Sequence, residues 1–211
     1  MAYTHRIDSL GGFDRHAVER YLDIAEALGC GRGPVEFPFH VTDADRSAVD
    51  AMRGDTGPYA VILPGTNWPT KKWPATYFGD VVPKLQSLGL DVVLAGAKDV
   101  VGLASAMPPG VIDLAAKTSL PQLVELLRRA KLVIANDSGP MHIASAVGTP
   151  MVTVFGPTNP VRTGPYGRDD TVLRLNLPCA PCYSRKCCHR ICLDWLTPDD
   201  VMRAARVQLA R

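Results

Sequence analysis

The chain has 211 residues, of which 46% are hydrophobic and 21% charged, and a formal net charge of +2. Such a balance excludes a disordered chain and gives room for one large globular domain, or one domain with a linker. The positive charge is scattered, with no basic block beyond Lys71 and Lys72, which argues against nucleic acid as a partner. No apolar run approaches the ~18 residues of a membrane span and the first residues lack a signal-peptide core, so a cytoplasmic location is expected, with a peripheral place at a membrane surface left open.

Residues 1 to 34 read as an approach segment. Apolar positions Val18, Tyr21, Leu22, Ala25 and Leu28 recur at helical spacing from Ala17 to Leu28, and Gly29 stops that helix. Gly31, Gly33, Pro34 and Pro38 then break the chain around an extended Val35 to Phe39. A second short helix is expected from Asp43 to Met52, so residues 1–57 form a helix-and-linker segment ahead of a domain at 58–211.

A regular alternation starts at Tyr59. Strands are expected at Tyr59 to Leu63, Asp91 to Ala95, Val111 to Asp113, Leu132 to Ala135 and Met151 to Phe155, with one more at Thr171 to Leu175. Between them lie helices at Thr76 to Leu88, kinked by Pro83, at Asp99 to Ala106, and from a Ser119/Gln122 capping box to Ala130. Thr197-Pro198-Asp199-Asp200 opens a terminal helix with Val201, Ala205 and Leu209 on one face. Strands alternating with helices imply an α/β fold, a Rossmann-like parallel sheet with helices on both faces.

The richest stretch is LVIANDSGPMHIASAVGTPMVTVFGP, Leu132 to Pro157. Its turn of Asn136, Asp137, Ser138 and Gly139 caps a helix that Pro140 begins and Gly148-Thr149-Pro150 ends. Unpaired N–H groups and the positive end of a helix dipole then meet at the carboxyl end of a parallel strand, which suits an anionic ligand such as phosphate. After the first strand comes LPGTNWPTKKWP, where Gly65 permits a sharp turn, Thr66 and Asn67 offer donors, and Lys71 and Lys72 bring charge.

These motifs, DSGPMHIA followed by GTPxVxxFGPT, strongly resemble the nucleotide-binding domain of family 9 glycosyltransferases, the ADP-heptose:lipopolysaccharide heptosyltransferases. The resemblance runs along nearly the whole chain and implies the carboxyl-terminal half of a two-domain GT-B enzyme. It assigns the phosphate-contacting lysine, two residues before a Trp-Pro pair, to Lys71. It places Asp137 on the transferred sugar and main-chain donors of Ser138, Gly139 and Met141 on the phosphates, with His142 close by. The family's ribose-holding glutamate falls at Val100, with Asp99 beside it as a substitute, and its adenine pocket at the loop carrying Thr118. Trp73 is expected to pack the Lys71 loop against the sheet.

Five of the six cysteines crowd into CAPCYSRKCCHRIC, Cys179 to Cys192. That clustering is unlike a secreted disulfide framework. Cys179, Cys182, Cys187, Cys188 and Cys192 with His189 supply enough ligands for a structural zinc, and a reduced packed-thiol cluster is the alternative.

The resemblance implies transfer from an ADP-heptose-like donor to a lipopolysaccharide core acceptor, with no metal needed at the diphosphate because a lysine and a helix N-terminus take its charge. The segment Arg15 to Gly29 resembles the stretch before the family's interdomain linker. An amino-terminal GT-B domain carrying the catalytic base is therefore expected to be missing, and the chain alone to bind nucleotide but transfer poorly. Rival readings are a noncatalytic nucleotide-binding or scaffold module and a GT-B-fold epimerase of nucleotide-sugars.

Overall fold

Short runs of β-branched and aliphatic residues build the centre of the molecule, as expected for strands buried on both faces. In the computed structural model, which describes residues 7, 12–54 and 56–211, they form β1 (Tyr59–Leu63), β2 (Asp91–Gly96), β3 (Val111–Ala115), β4 (Leu132–Asn136), β5 (Met151–Phe155) and β6 (Val172–Arg174). The start of the expected approach segment, residues 1–6 and 8–11, lies outside the described residues. All five strand pairings are parallel, in the order β3-β2-β1-β4-β5-β6. The order reverses between β1 and β4, the crevice where open α/β sheets hold ligands.

Alternate residues of each strand feed two separate cores. Ala60 and Ile62 of β1 join Val92, Leu94 and Ile134 under α3 (Ala75–Gln86) and α8 (Pro198–Leu209), which contribute Phe78, Val82, Leu85, Val201 and Ala205. Tyr59, Val61 and Leu63 face the other way, with Val93 and Val133, under α2 (Asp43–Arg53), α4 (Leu120–Arg129) and α5 (Gly139–Ala146). Capping boxes start three of these helices, at Thr42/Asp45, Ser119/Gln122 and Thr197/Asp200. Pro83 sits inside α3 and the helix continues past it to Gln86.

The region before β1 divides in two. α2 belongs to the domain, because Val49 is fully buried in its core. α1 (Ala17–Ala27) has no buried residue and leaves Tyr21 and Leu28 exposed. It is held at its start by His16, whose Nε2 lies 3.0 Å from the Gly164 carbonyl, and by the Tyr166 hydroxyl donating to Glu19.

One expected helix is absent. Asp99 to Ala106 forms two 3₁₀ turns, Lys98–Val100 and Leu103–Ala106, interrupted at Gly102 with φ +86°. Glycine pays a conformational cost inside a helix and adopts left-handed backbone freely, so the chain breaks there. Short helices α6 (Pro160–Thr163) and α7 (Ile191–Asp194) complete the fold around the cysteine segment.

Candidate functional site

Parallel pairing of β1 with β4 sets Leu63 beside Ala135, so the loops that follow the two strands meet at the switch point. Asn136, fully buried at the end of β4, joins them: its Nδ2 donates to the Pro64 carbonyl at 2.7 Å, and its Oδ1 accepts from the Trp73 N–H at 3.0 Å. Those two bonds bracket the loop that carries Gly65, Thr66, Asn67 and Lys71. Trp73 anchors the far end, with Nε1 donating to the Leu196 carbonyl at 2.8 Å and its ring edge-on to Phe78. Its expected packing role is the one it has.

Lys71 and Asp137 come together across this junction. The Lys71 ammonium lies 2.8 Å from Asp137 Oδ2, in a pair whose side chains keep only 17% and 5% of their exposure. Thr158 Oγ1 donates to the same oxygen at 2.6 Å, and Thr66 Oγ1 donates to the Asp137 carbonyl at 3.1 Å. Such a desolvated pair holds the loop in place but makes loss of either partner costly.

A cleft of about 510 Å³ opens over the pair, lined by Gly65, Thr66, Asn67, Trp68 and Lys71 from one loop and by Asp137, Ser138, Gly139, Pro140 and His142 from the other. Asp99 and Thr163 also line it. Ser138 is the N-cap of α5, yet its side chain makes no capping bond and its Oγ is buried with no hydrogen-bond partner. The first N–H groups of the helix have no intrahelical acceptor, which suits an acceptor from outside the protein. Met141, an expected phosphate contact, is fully buried and does not line the cleft. His142 keeps an exposed face, and the protein packed around its imidazole lowers its pKa; Asp137 opposes this, while His16 and Lys71 add to it.

Two expected positions behave differently from the rest. Val100 is fully buried and fills the space beside Gly96 and Gly65; a Cβ on Gly96, at φ +146°, would come within 2.8 Å of it. Asp99 instead turns its carboxylate into the cleft beside Gly65, so it is the acid available at that edge. Thr118 does not line the cleft: it follows β3, at the edge of the sheet beyond β2, and precedes the N-cap of α4.

The cysteine segment packs against the Lys71 loop. Thr70 Oγ1 donates to the Ser184 carbonyl at 2.7 Å, and Arg190 donates to the carbonyls of Pro69 and Lys72. Cys179, Cys182, Cys187, Cys192 and His189 line one small cavity of about 20 Å³ with Thr70. Among the described residues no three cysteine, histidine or acidic side chains gather where one metal ion would sit, so these side chains as placed do not fit a tetrahedral zinc. Backbone N–H groups of His189 and Arg190 lower the Cys187 pKa; burial, then the neighbouring thiols, raise that of Cys192.

A family model described as glycosyltransferase family 9 (heptosyltransferase) matches residues 1–192. The chain belongs to that family. Lipopolysaccharide heptosyltransferase 1 of Pseudomonas aeruginosa is 34% identical over 181 residues, covering 83% of this chain and 50% of the relative. Among solved structures, the family 9 glycosyl transferase of Veillonella parvula superposes with a TM-score of 0.81 at 26% identity, over 98% of this chain and 62% of the other. E. coli ADP-heptose lps heptosyltransferase II gives 0.77 at 25% identity, over 93% and 62%. The chain thus spans about half the length of the curated relatives it matches. The six-stranded parallel sheet is the Rossmann-like half expected of a family 9, GT-B member.

Asn136 and Thr158 lie within motifs the sequence shows, but their bonds to Pro64, Trp73 and Asp137 join loops that only the strand order brings together, and Thr163 carries no local signal. Trp68 carries one, as an aromatic residue inside a glycine-and-lysine loop.

Proposed function

We propose that this chain binds the ADP-sugar donor of a heptosyltransferase, with the diphosphate against the N-terminus of α5 and Lys71. The observation that carries the reading is the cleft at the switch point, where the start of α5 and the Lys71–Asp137 pair line one space. Likeness to the E. coli ADP-heptose lps heptosyltransferase II supports ADP-heptose as the donor. Helix N–H groups and Lys71 would stabilise the charge that develops on the departing diphosphate, with no metal required there. Asp137 would orient the sugar, held in place by Thr158, and Asp99 would meet the ribose. The acceptor would be a lipopolysaccharide core sugar, at the cytoplasmic membrane surface.

Transfer also demands a base for the acceptor hydroxyl and a second wall to orient it. Asp137 is committed to Lys71 and Thr158. We therefore place the base outside these 211 residues, and expect the isolated chain to bind donor but transfer little. Titration calorimetry with ADP tests the binding: Lys71→Ala, checked for folding by its melt, should weaken ADP and leave adenosine unaffected. Equal ADP affinity in both proteins would remove Lys71 from the site, and tighter binding of UDP than ADP would overturn the donor.

A further inference from the structure

We infer that Arg185, from the cysteine segment, is a second cation for the diphosphate of the bound nucleotide, acting across Trp68 from the Lys71 loop. The inference rests on the donor-site reading above and on a charge imbalance in the cleft. The ionised side chains that line it are one lysine, Lys71, against two aspartates, Asp99 and Asp137. Lys71 is already paired with Asp137 at 2.8 Å. A nucleoside diphosphate brings several more negative charges, and one helix N-terminus offers only about half a positive charge against them. Lys72 does not correct this, because it opens on an adjoining recess with Trp73, Leu103 and Arg190.

Arg185 is exposed beside Trp68, outside the residues that line the cleft, and is uncommitted. Its guanidinium carbon lies 4.5 Å from the Trp68 ring centroid, and the Lys71 ammonium lies 4.7 Å from the same centroid. Trp68 itself lines the cleft. Among the described residues no carboxylate pairs with Arg185, and the ring contact is the one it makes. The neighbouring residues fix its place: Ser184 accepts from Thr70 at 2.7 Å, and Tyr183 lies under the Arg162 guanidinium and accepts a hydrogen bond from it at 3.2 Å. An arginine stacked on an aromatic face keeps its N–H fork free in the ring plane, the arrangement that grips phosphate oxygens bidentately. The cysteine segment is then a wall of the donor site rather than remote packing, and its contacts with the Lys71 loop set the spacing of the two cations.

The test is calorimetric titration of the 211-residue chain with ADP and, separately, adenosine, for wild type, Arg185→Gln and Arg185→Lys. Arg185→Gln should lose about tenfold in ADP affinity, the scale of one charge-assisted contact, with adenosine affinity and melting temperature unchanged. Arg185→Lys should recover part of the loss, because charge is kept and the fork is not. ADP affinity equal to wild type in Arg185→Gln would overturn the inference while leaving the donor site standing. An equal loss for adenosine would also overturn it, by showing that Arg185 only supports the loop. Failure of wild type itself to bind ADP would bring down the donor-site reading, and this inference with it.

Discussion

Replacing Asn136 by Ala should be among the most damaging single changes in this domain. The side chain is fully buried and satisfies two buried backbone groups, the Pro64 carbonyl at 2.7 Å and the Trp73 N–H at 3.0 Å. Leaving each without a partner costs about 1–3 kcal/mol, and water admitted from the neighbouring cleft recovers part of it, so the net loss is about 2–4 kcal/mol. For a domain of this size that is a fall in Tm of roughly 4–16 °C. Asn136→Asp should do no better, because a carboxylate oxygen would face the Pro64 carbonyl in place of a donor. Thermal melts followed by circular dichroism, with urea titration to confirm an unchanged m-value, give the number. A Tm within about 2 °C of wild type for Asn136→Ala would refute the idea that this residue joins the two loops.

Three further outcomes follow from the same geometry. Thr158→Val removes the 2.6 Å bond to Asp137 while keeping shape, and should lower stability by about 1–2 kcal/mol in urea unfolding; no change would mean that Lys71 alone holds the carboxylate. Cys187 is exposed and its pKa is lowered by two backbone N–H groups, so more of it is thiolate at neutral pH; peptide mapping should find it alkylated before Cys192, whose pKa is raised, with the gap narrowing as pH rises. The placement of the thiols predicts substoichiometric zinc in protein purified without added metal, and a melt unmoved by chelator; near-stoichiometric metal would require the segment 179–192 to rearrange.

The sheet is legible in the sequence because its strands are short, apolar and punctuated. β1 and β5 have the expected bounds, and β2 and β4 run one residue longer at their carboxyl ends, where the ladder extends into Gly96 and Asn136. Val111 to Ala115 exceeds its expected length because Asp113, polar and half-buried on an edge strand, hides the continuation. The failed helix at Asp99 to Ala106 shows the limit of reading small residues as helical: Ala and Leu favour the helix, but Gly102 decides the backbone. At the site, local motifs point to Lys71, Asp137, Ser138 and Gly139. Their mutual arrangement is not readable along the chain, since the Lys71–Asp137 pair and the Asn136 bridge depend on β4 inserting beside β1. Thr118 rests on the family resemblance alone, and no local feature warns that β3 leaves it beyond the cleft.

The donor-site proposal sets a nucleoside diphosphate against the N-terminus of α5 and the Lys71 loop. Mapping of backbone amide shifts by NMR, with ADP titrated into the isotopically labelled 211-residue chain, tests it most directly. The largest saturable shifts should fall on the amides of Ser138, Gly139 and Met141 and on residues 65–72, with smaller ones at Asp99. Shifts confined to another surface, or none at ADP concentrations that saturate family members, would contradict the account.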